Sequence, residues 1–155
     1  MAQRGDTASN SAPLLTPAQA AFLDAHRVAS LATADKHGAP HVVPVCFVHA
    51  EGHVCITIDQ KPKTGGELKR LKNIAENPSV ALTVDHYDDT DWSRLGWLMI
   101  RGRAEILRDG SAHDAAQKRL CAKYPQLRNM ELAALPVIAI QIKIIASWGD
   151  LTPSP

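Results

Sequence analysis

The spacing of apolar residues changes several times along the chain, and each change predicts an element. In the first apolar stretch Ala18, Ala21, Phe22 and Ala25 recur at helical spacing. Thr16 stands before them as an N-cap, Pro17 suits the first helical position, and Gln19 completes a capping box, so a short helix starts there. The period then shortens. VASLATA at 28–34 reads as a strand, DKHG at 35–38 as a turn, and PHVVPVCFV at 40–48 as a second strand. Pro44 inside that run removes a ladder donor and belongs at a sheet edge or a bulge. A turn at 50–53 and a strand at 54–59 complete a predicted antiparallel meander. Helical spacing returns with Leu68, Leu71, Ile74 and Ala75 and stops before Pro78. Strands follow at 79–85 and 97–107, separated by an acidic loop. Ser111 is placed as the cap of a third helix with Asp114 three residues on, and a last strand covers 137–148.

About six strands and a few irregularly placed helices do not fit repeated strand–helix–strand units. A sheet of this kind loses its exposed edges by closing on itself. The predicted fold is therefore mainly β, a six-stranded antiparallel barrel with peripheral helices. The domain is set at 14–150, with a disordered tail over 1–13 and a short C-terminal tail over 151–155. A chain of 155 residues suits one such domain.

Composition narrows the function. A net charge of +1 gives no global field to draw the protein to nucleic acid or an anionic membrane. The longest apolar run, near Pro136 to Ile145, is interrupted by Gln141 and Lys143 and is far short of the ~20 residues of a membrane span. Cys46, Cys55 and Cys121 are odd in number and widely spaced, which points to a reducing, cytoplasmic setting rather than a disulfide framework.

Three strings are specific in combination: RVASLATADKHGAPHVVPVCFV, ITIDQKPK and LKRLKNIAENPSVALTVDHYDDTDWSRLGW. Together they resemble the pyridoxamine 5'-phosphate oxidase-like split β-barrel superfamily (the FMN-binding-like fold), and within it the deazaflavin branch that uses coenzyme F420. The likeness spans 27–148. It implies a homodimer with two equivalent cofactor sites at the subunit interface. After KPK the branch carries more arginine than this chain, which reads Thr64, Gly65, Gly66, Glu67.

Lys61 and Lys63 lie between a strand end and a helix start, and Thr64, Gly65 and Gly66 lead into that helix. Unpaired N–H groups and the positive dipole end make such a place an anion site, and glycine lets a phosphate approach the backbone. The residues alone allow a solvated basic helix start as well; the resemblance implies the phosphate grip, with Arg70 as the further cation. His41 to Val45 form a second candidate. A strand beside a proline offers free backbone groups to the edge of a flat ring. The resemblance implies that Val43, Pro44 and Val45 line that ring, with Thr33 on the neighbouring strand. Val43 and Val45 fit plain core packing equally well.

Trp148 ends the last strand, where the family often carries an aromatic near the cofactor or the partner subunit. Trp92 lies in the acidic loop and is assigned to the cofactor mouth or the dimer interface; Trp97 is assigned to the core. Arg101 and Arg103 share a strand face, as anion ligands or as exposed ion-pair members. The aspartates between 85 and 91 lack calcium-loop spacing, and the histidines lack a ligand pattern, so no metal is expected. His86 and Tyr87 are the weak candidates for a proton donor. No nucleophile elbow or Walker loop occurs, and no catalytic side chain is assigned. The expectation is an F420-dependent oxidoreductase acting on a small electron-poor organic substrate. The alternatives are FMN on the same barrel or a non-enzymatic flavin or haem carrier, for which His41 is the axial ligand to test.

Overall fold

A computed structural model describes residues 13–58 and 67–153 of the chain. Lys61, Lys63 and Thr64, assigned above to a phosphate, lie outside the described residues. Helix α1, Pro17–Ala25, begins as its capping box dictates. Gln19 N–H donates to Thr16 Oγ1 at 3.2 Å, and Thr16 N–H donates to Gln19 Oε1 at 3.0 Å. Its buried residues are Phe22 and Leu23, not the alanine stripe. A short helix docks through the side chains that reach the core, and alanines do not.

The strands are β1 (Ala29–Ala34), β2 (Pro40–Val45), β3 (Val48–Ala50), β4 (His53–Thr57), β5 (Ser79–His86), β6 (Gly96–Leu107) and β7 (Val137–Gly149). They form one antiparallel sheet in the order β2-β1-β5-β6-β7-β4-β3. There are thus seven strands rather than six, because the run 40–48 is not one strand. Cys46 and Phe47 leave the sheet, and the two pieces take opposite edges. The predicted meander is broken at the same place. Three Cα–Cα steps of about 3.8 Å join the last residue of β2 to the first of β3. Two edges so tethered must face each other, so the sheet curls into a split barrel. Pro44 stands on an edge strand, as its missing donor requires.

The inside of the curl holds Leu31, Phe47, Ile56, Leu82, Leu98 and Ile100, none more than 1% exposed. Helix α2, Lys69–Glu76, adds Leu71 and Ile74 to this core. Helix α3, Ser111–Lys123, packs outside against β3, β4 and β7. Its N-cap is Gly110, not Ser111, and no side chain caps it. Gly110 has φ +93°, so the Asp-Gly turn itself sets the helix start and Ser111 falls one position inside. Under α3 a second apolar cluster gathers Val48, Leu120, Leu127 and Leu132. At Gly102 the β6–β7 register skips Lys143. A Cβ on Gly102 would lie 2.2 Å from Gln141 O, so only glycine fits the bulge.

Candidate functional site at the barrel seam

The link between β2 and β3 is fixed from the end of α3. Phe47 N–H donates to Tyr124 Oη at 3.0 Å, and that hydroxyl lies 2.9 Å from both the Phe47 and Arg27 carbonyl oxygens. One phenol proton serves the two carbonyls. Burial pushes the Tyr124 phenol above its ordinary value, so it stays a neutral donor. Beside it, Lys123 Nζ donates to Leu23 O at 3.1 Å and sits 3.9 Å above the Phe47 ring. Burial lowers the Lys123 ammonium to about 8. The Arg27 guanidinium donates to Lys123 O and lies 5.8 Å over the Tyr124 ring. Two adjacent residues at a helix end therefore hold the end of α1, the approach to β1 and the seam together.

A cleft of about 480 Å³ opens beside this clamp. Its apolar walls are Val28, Pro44, Val45, Pro125, Leu127 and Met130. Its polar and charged lining residues are Arg27, Arg70, Tyr124, Cys46, Gln126 and Thr57. Thr57 is 7% exposed, and its buried Oγ1 has no hydrogen-bond partner among the described residues. A buried hydroxyl left unpaired costs about 1–3 kcal/mol, which a polar ligand atom would recover.

Of the residues assigned from the sequence, the fold brings Pro44, Val45 and Arg70 to the cleft. Val43 faces inward and packs on the barrel core. Thr33 is buried, and its Oγ1 accepts from Asn73 Nδ2 at 3.0 Å, which ties β1 to α2. His41 is half-buried on β2, with a buried Nδ1 that has no partner among the described residues. Trp92 stands 70% exposed in the loop before β6. Trp148 is opposite Trp97 across β6 and β7, and both point outward, which corrects the core assignment of Trp97. Arg101 and Arg103 are exposed and enter no ion pair among the described residues. His86 and Tyr87 do not line the cleft. The acidic loop is folded on its own carboxylates. Asp88 Oδ1 accepts from the Thr90 hydroxyl at 2.7 Å and from the Thr90 and Asp91 N–H groups, which holds its carboxyl below the usual range.

The sequence reading missed Arg27, Cys46, Tyr124, Leu127 and Met130. Arg27 and Cys46 lie within the string that carries the family resemblance, but nothing in it marks them for a cleft; Tyr124, Leu127 and Met130 lie on no periodic pattern or motif. The available signal was the basic-aromatic pair Lys123–Tyr124 at a helix end, before Pro125.

The β2 edge adds a backbone feature. Pro40, Val42 and Pro44 alternate along it, so all three share one hydrogen-bonding side. Turning that side outward costs no ladder bond at either proline and leaves Val42 as the one amide donor between them.

Comparison with known proteins assigns the family. Residues 15–149 match the model of the family described as pyridoxamine 5'-phosphate oxidase. The chain belongs to the pyridoxamine 5'-phosphate oxidase family. A 5a,11a-dehydrotetracycline/5a,11a-dehydrooxytetracycline reductase of Streptomyces rimosus is 33% identical over 95 residues, which are 61% of this chain and 66% of that protein. A conserved hypothetical protein of Mycobacterium tuberculosis has the same fold, with a TM-score of 0.69 at 18% identity over 96% of this chain and 90% of its own. The haem storage protein HutZ of Vibrio cholerae matches with a TM-score of 0.63 at 17% identity, covering 83% of this chain and 89% of its own. No helix among the described residues is long and apolar enough to cross a membrane.

Members of the pyridoxamine 5'-phosphate oxidase family usually bind flavin-type cofactors. The cleft suits such a group in three respects. Its apolar walls match a flat ring, its arginines match an anionic tail, and the Thr57 hydroxyl, without a partner among the described residues, offers a polar contact.

Proposed function

We propose that this chain is an oxidoreductase that uses the deazaflavin coenzyme F420 to reduce a small electron-poor organic substrate, working as a homodimer. The observation that carries the reading is the seam cleft, apolar on its walls, bounded by Arg27 and Arg70, and containing the buried Thr57 hydroxyl, which has no partner among the described residues. A family of flavin binders and a 33% identical reductase support it. When bound, the reduced cofactor supplies a hydride.

The chain's own residues supply position and dryness. Pro44, Val45, Leu127 and Met130 keep water from one side of a ring in the cleft, and Thr57 offers it a hydrogen bond. Arg27 and Arg70 would hold negative charge from the cleft wall, and the family resemblance assigns Lys61 and Lys63 to the same charge. The Tyr124 hydroxyl is committed to the Arg27 and Phe47 carbonyls and is no free acid. Solvent can supply the proton that accompanies reduction.

The homodimer rests on the outer face of the sheet. Val42, Ile144, Trp97 and Trp148 are 62%, 46%, 37% and 56% exposed there, more apolar surface than a solvated sheet face needs. Covering this face with a second copy would also place Trp148 and Pro44 near the partner.

Titration with both F420 and FMN tests the reading. F420 should bind more tightly. The double variant Lys61→Ala, Lys63→Ala should weaken it about tenfold, near 1.4 kcal/mol. Light scattering at micromolar concentration should give a dimer mass. Protein from a host lacking deazaflavin should purify colourless; a yellow protein that holds FMN would move the assignment to the FMN alternative. The haem-carrier reading draws on the HutZ-like fold and on His41, whose Nδ1 has no partner among the described residues. A Soret band on haemin addition that His41→Ala removes, without F420 binding, would favour it.

A further inference from the structure

We propose that Cys46 is the reactive thiol of this chain and that it captures electron-poor alkenes from the seam cleft, the adduct closing the cleft to other ligands. The three cysteines sit in three different settings. Cys55, on β4, is half-buried against the second apolar cluster, and burial pushes its thiol up. Cys121, on α3, packs against the same cluster. Cys46 alone among the three lines the cleft. It follows Val45 where the chain leaves the sheet, so its position is set by the seam rather than by a strand ladder.

Two cationic side chains stand near it. Arg27 shares the cleft wall, and Lys123 lies within electrostatic range of Cys46. Lys123 cannot swing away freely, since its Nζ is held by Leu23 O and the Phe47 ring. A thiolate beside fixed cations in a partly open site is the reactive kind. Thr57 supplies an independent sign that the cleft takes a ligand. It is 7% exposed, lines the same cavity, and its hydroxyl has no partner among the described residues. A carbonyl oxygen conjugated to an alkene could accept that hydrogen bond.

The addition needs no oxidant. The sulfur of Cys46 bonds to the β-carbon of an α,β-unsaturated carbonyl, the alkene π pair moves toward the carbonyl, and solvent delivers a proton to the α-carbon. The cleft-closing half of the proposal rests on the cofactor reading above; the reactivity half does not.

Alkylation of the full chain with N-ethylmaleimide, followed by peptide mass spectrometry, tests both. Cys46 should react at least about tenfold faster than Cys55 and Cys121, and Lys123→Met should slow Cys46 several-fold while the other two keep their rates. Equal rates at the three thiols, or a faster Cys55 or Cys121, would overturn the proposal. Protein labelled at Cys46 should lose F420 affinity by about tenfold or more, whereas Cys46→Ser treated with the same reagent should not change its own affinity. Unchanged affinity in the Cys46 adduct would remove the closing role. If unmodified protein binds neither F420 nor FMN, the cofactor reading falls, and the ranking of the three thiols still decides the reactivity claim.

Discussion

The molecule has two apolar clusters, and they are held by different means. The barrel core is built from strands whose inward positions repeat every second residue, with Leu31, Leu82, Leu98 and Ile140 each within 1% of full burial. Its stability comes from area removed from water. The second cluster, beneath α3, is covered by the irregular stretch 124–135. Buried polar side chains hold that stretch. Gln117 Nε2 donates to Leu132 O at 3.1 Å, and His113 Nε2 lies 2.8 Å from Leu135 O while its Nδ1 lies 3.0 Å from Asp114. Tyr124 and Lys123 complete the set at the seam. The regular region gives the fold its stability. The irregular one gives the cleft its shape, because a wall pinned by a few directional bonds can take a form that strand geometry does not impose.

Three variants separate the two regions. Leu98→Ala should cost about 2–5 kcal/mol in urea unfolding, with cofactor affinity per folded molecule unchanged. A loss of affinity as large as the loss of stability would mean that the regions are not separable. Tyr124→Phe leaves Phe47 and Arg27 backbone groups unpaired at the seam and should cost roughly 1–3 kcal/mol. It should also weaken the cofactor several-fold, the reverse balance to Leu98→Ala. The third effect is smaller and depends on pH. Both ring nitrogens of His113 face oxygen acceptors, Leu135 O and the Asp114 carboxylate, with Asp109 nearby, and these raise its pKa above the ordinary 6.5. A raised value in the folded state means that the stabilisation is fully present below about pH 6.5 and fades as pH rises through the folded value. Wild type should therefore exceed His113→Gln in stability by more at pH 5.5 than at pH 8.5 in paired denaturation curves. A difference independent of pH would show that the imidazole acts as a neutral packing group.

Much of the barrel was legible along the chain. Alternating apolar residues marked β1, β5, β6 and β7 to within a residue or two, and the capping box fixed the start of α1. Pro44 correctly demanded an edge. Where the reading failed, a local rule met a tertiary one. PHVVPVCFV is apolar apart from His41, and nothing in its period says that it parts at Cys46 to serve two edges. Trp97 looked like core because it is large, yet its parity on β6 turns it outward beside Trp148. The cleft was the least legible part. Pro44, Val45 and Arg70 came to it from predicted elements, but Arg27, Cys46, Tyr124, Leu127 and Met130 come from links and turns.

The sequence by itself determined the strand and helix content, the mainly β class and the family, because alternation, caps and turn residues act over a few neighbours. Tertiary structure alone decided that β2 and β3 face each other across a seam and that the end of α3 clamps it. Such contacts join residues up to 100 positions apart, as Lys123 joins Leu23, and depend on how the whole sheet curls. No local spacing encodes that curl.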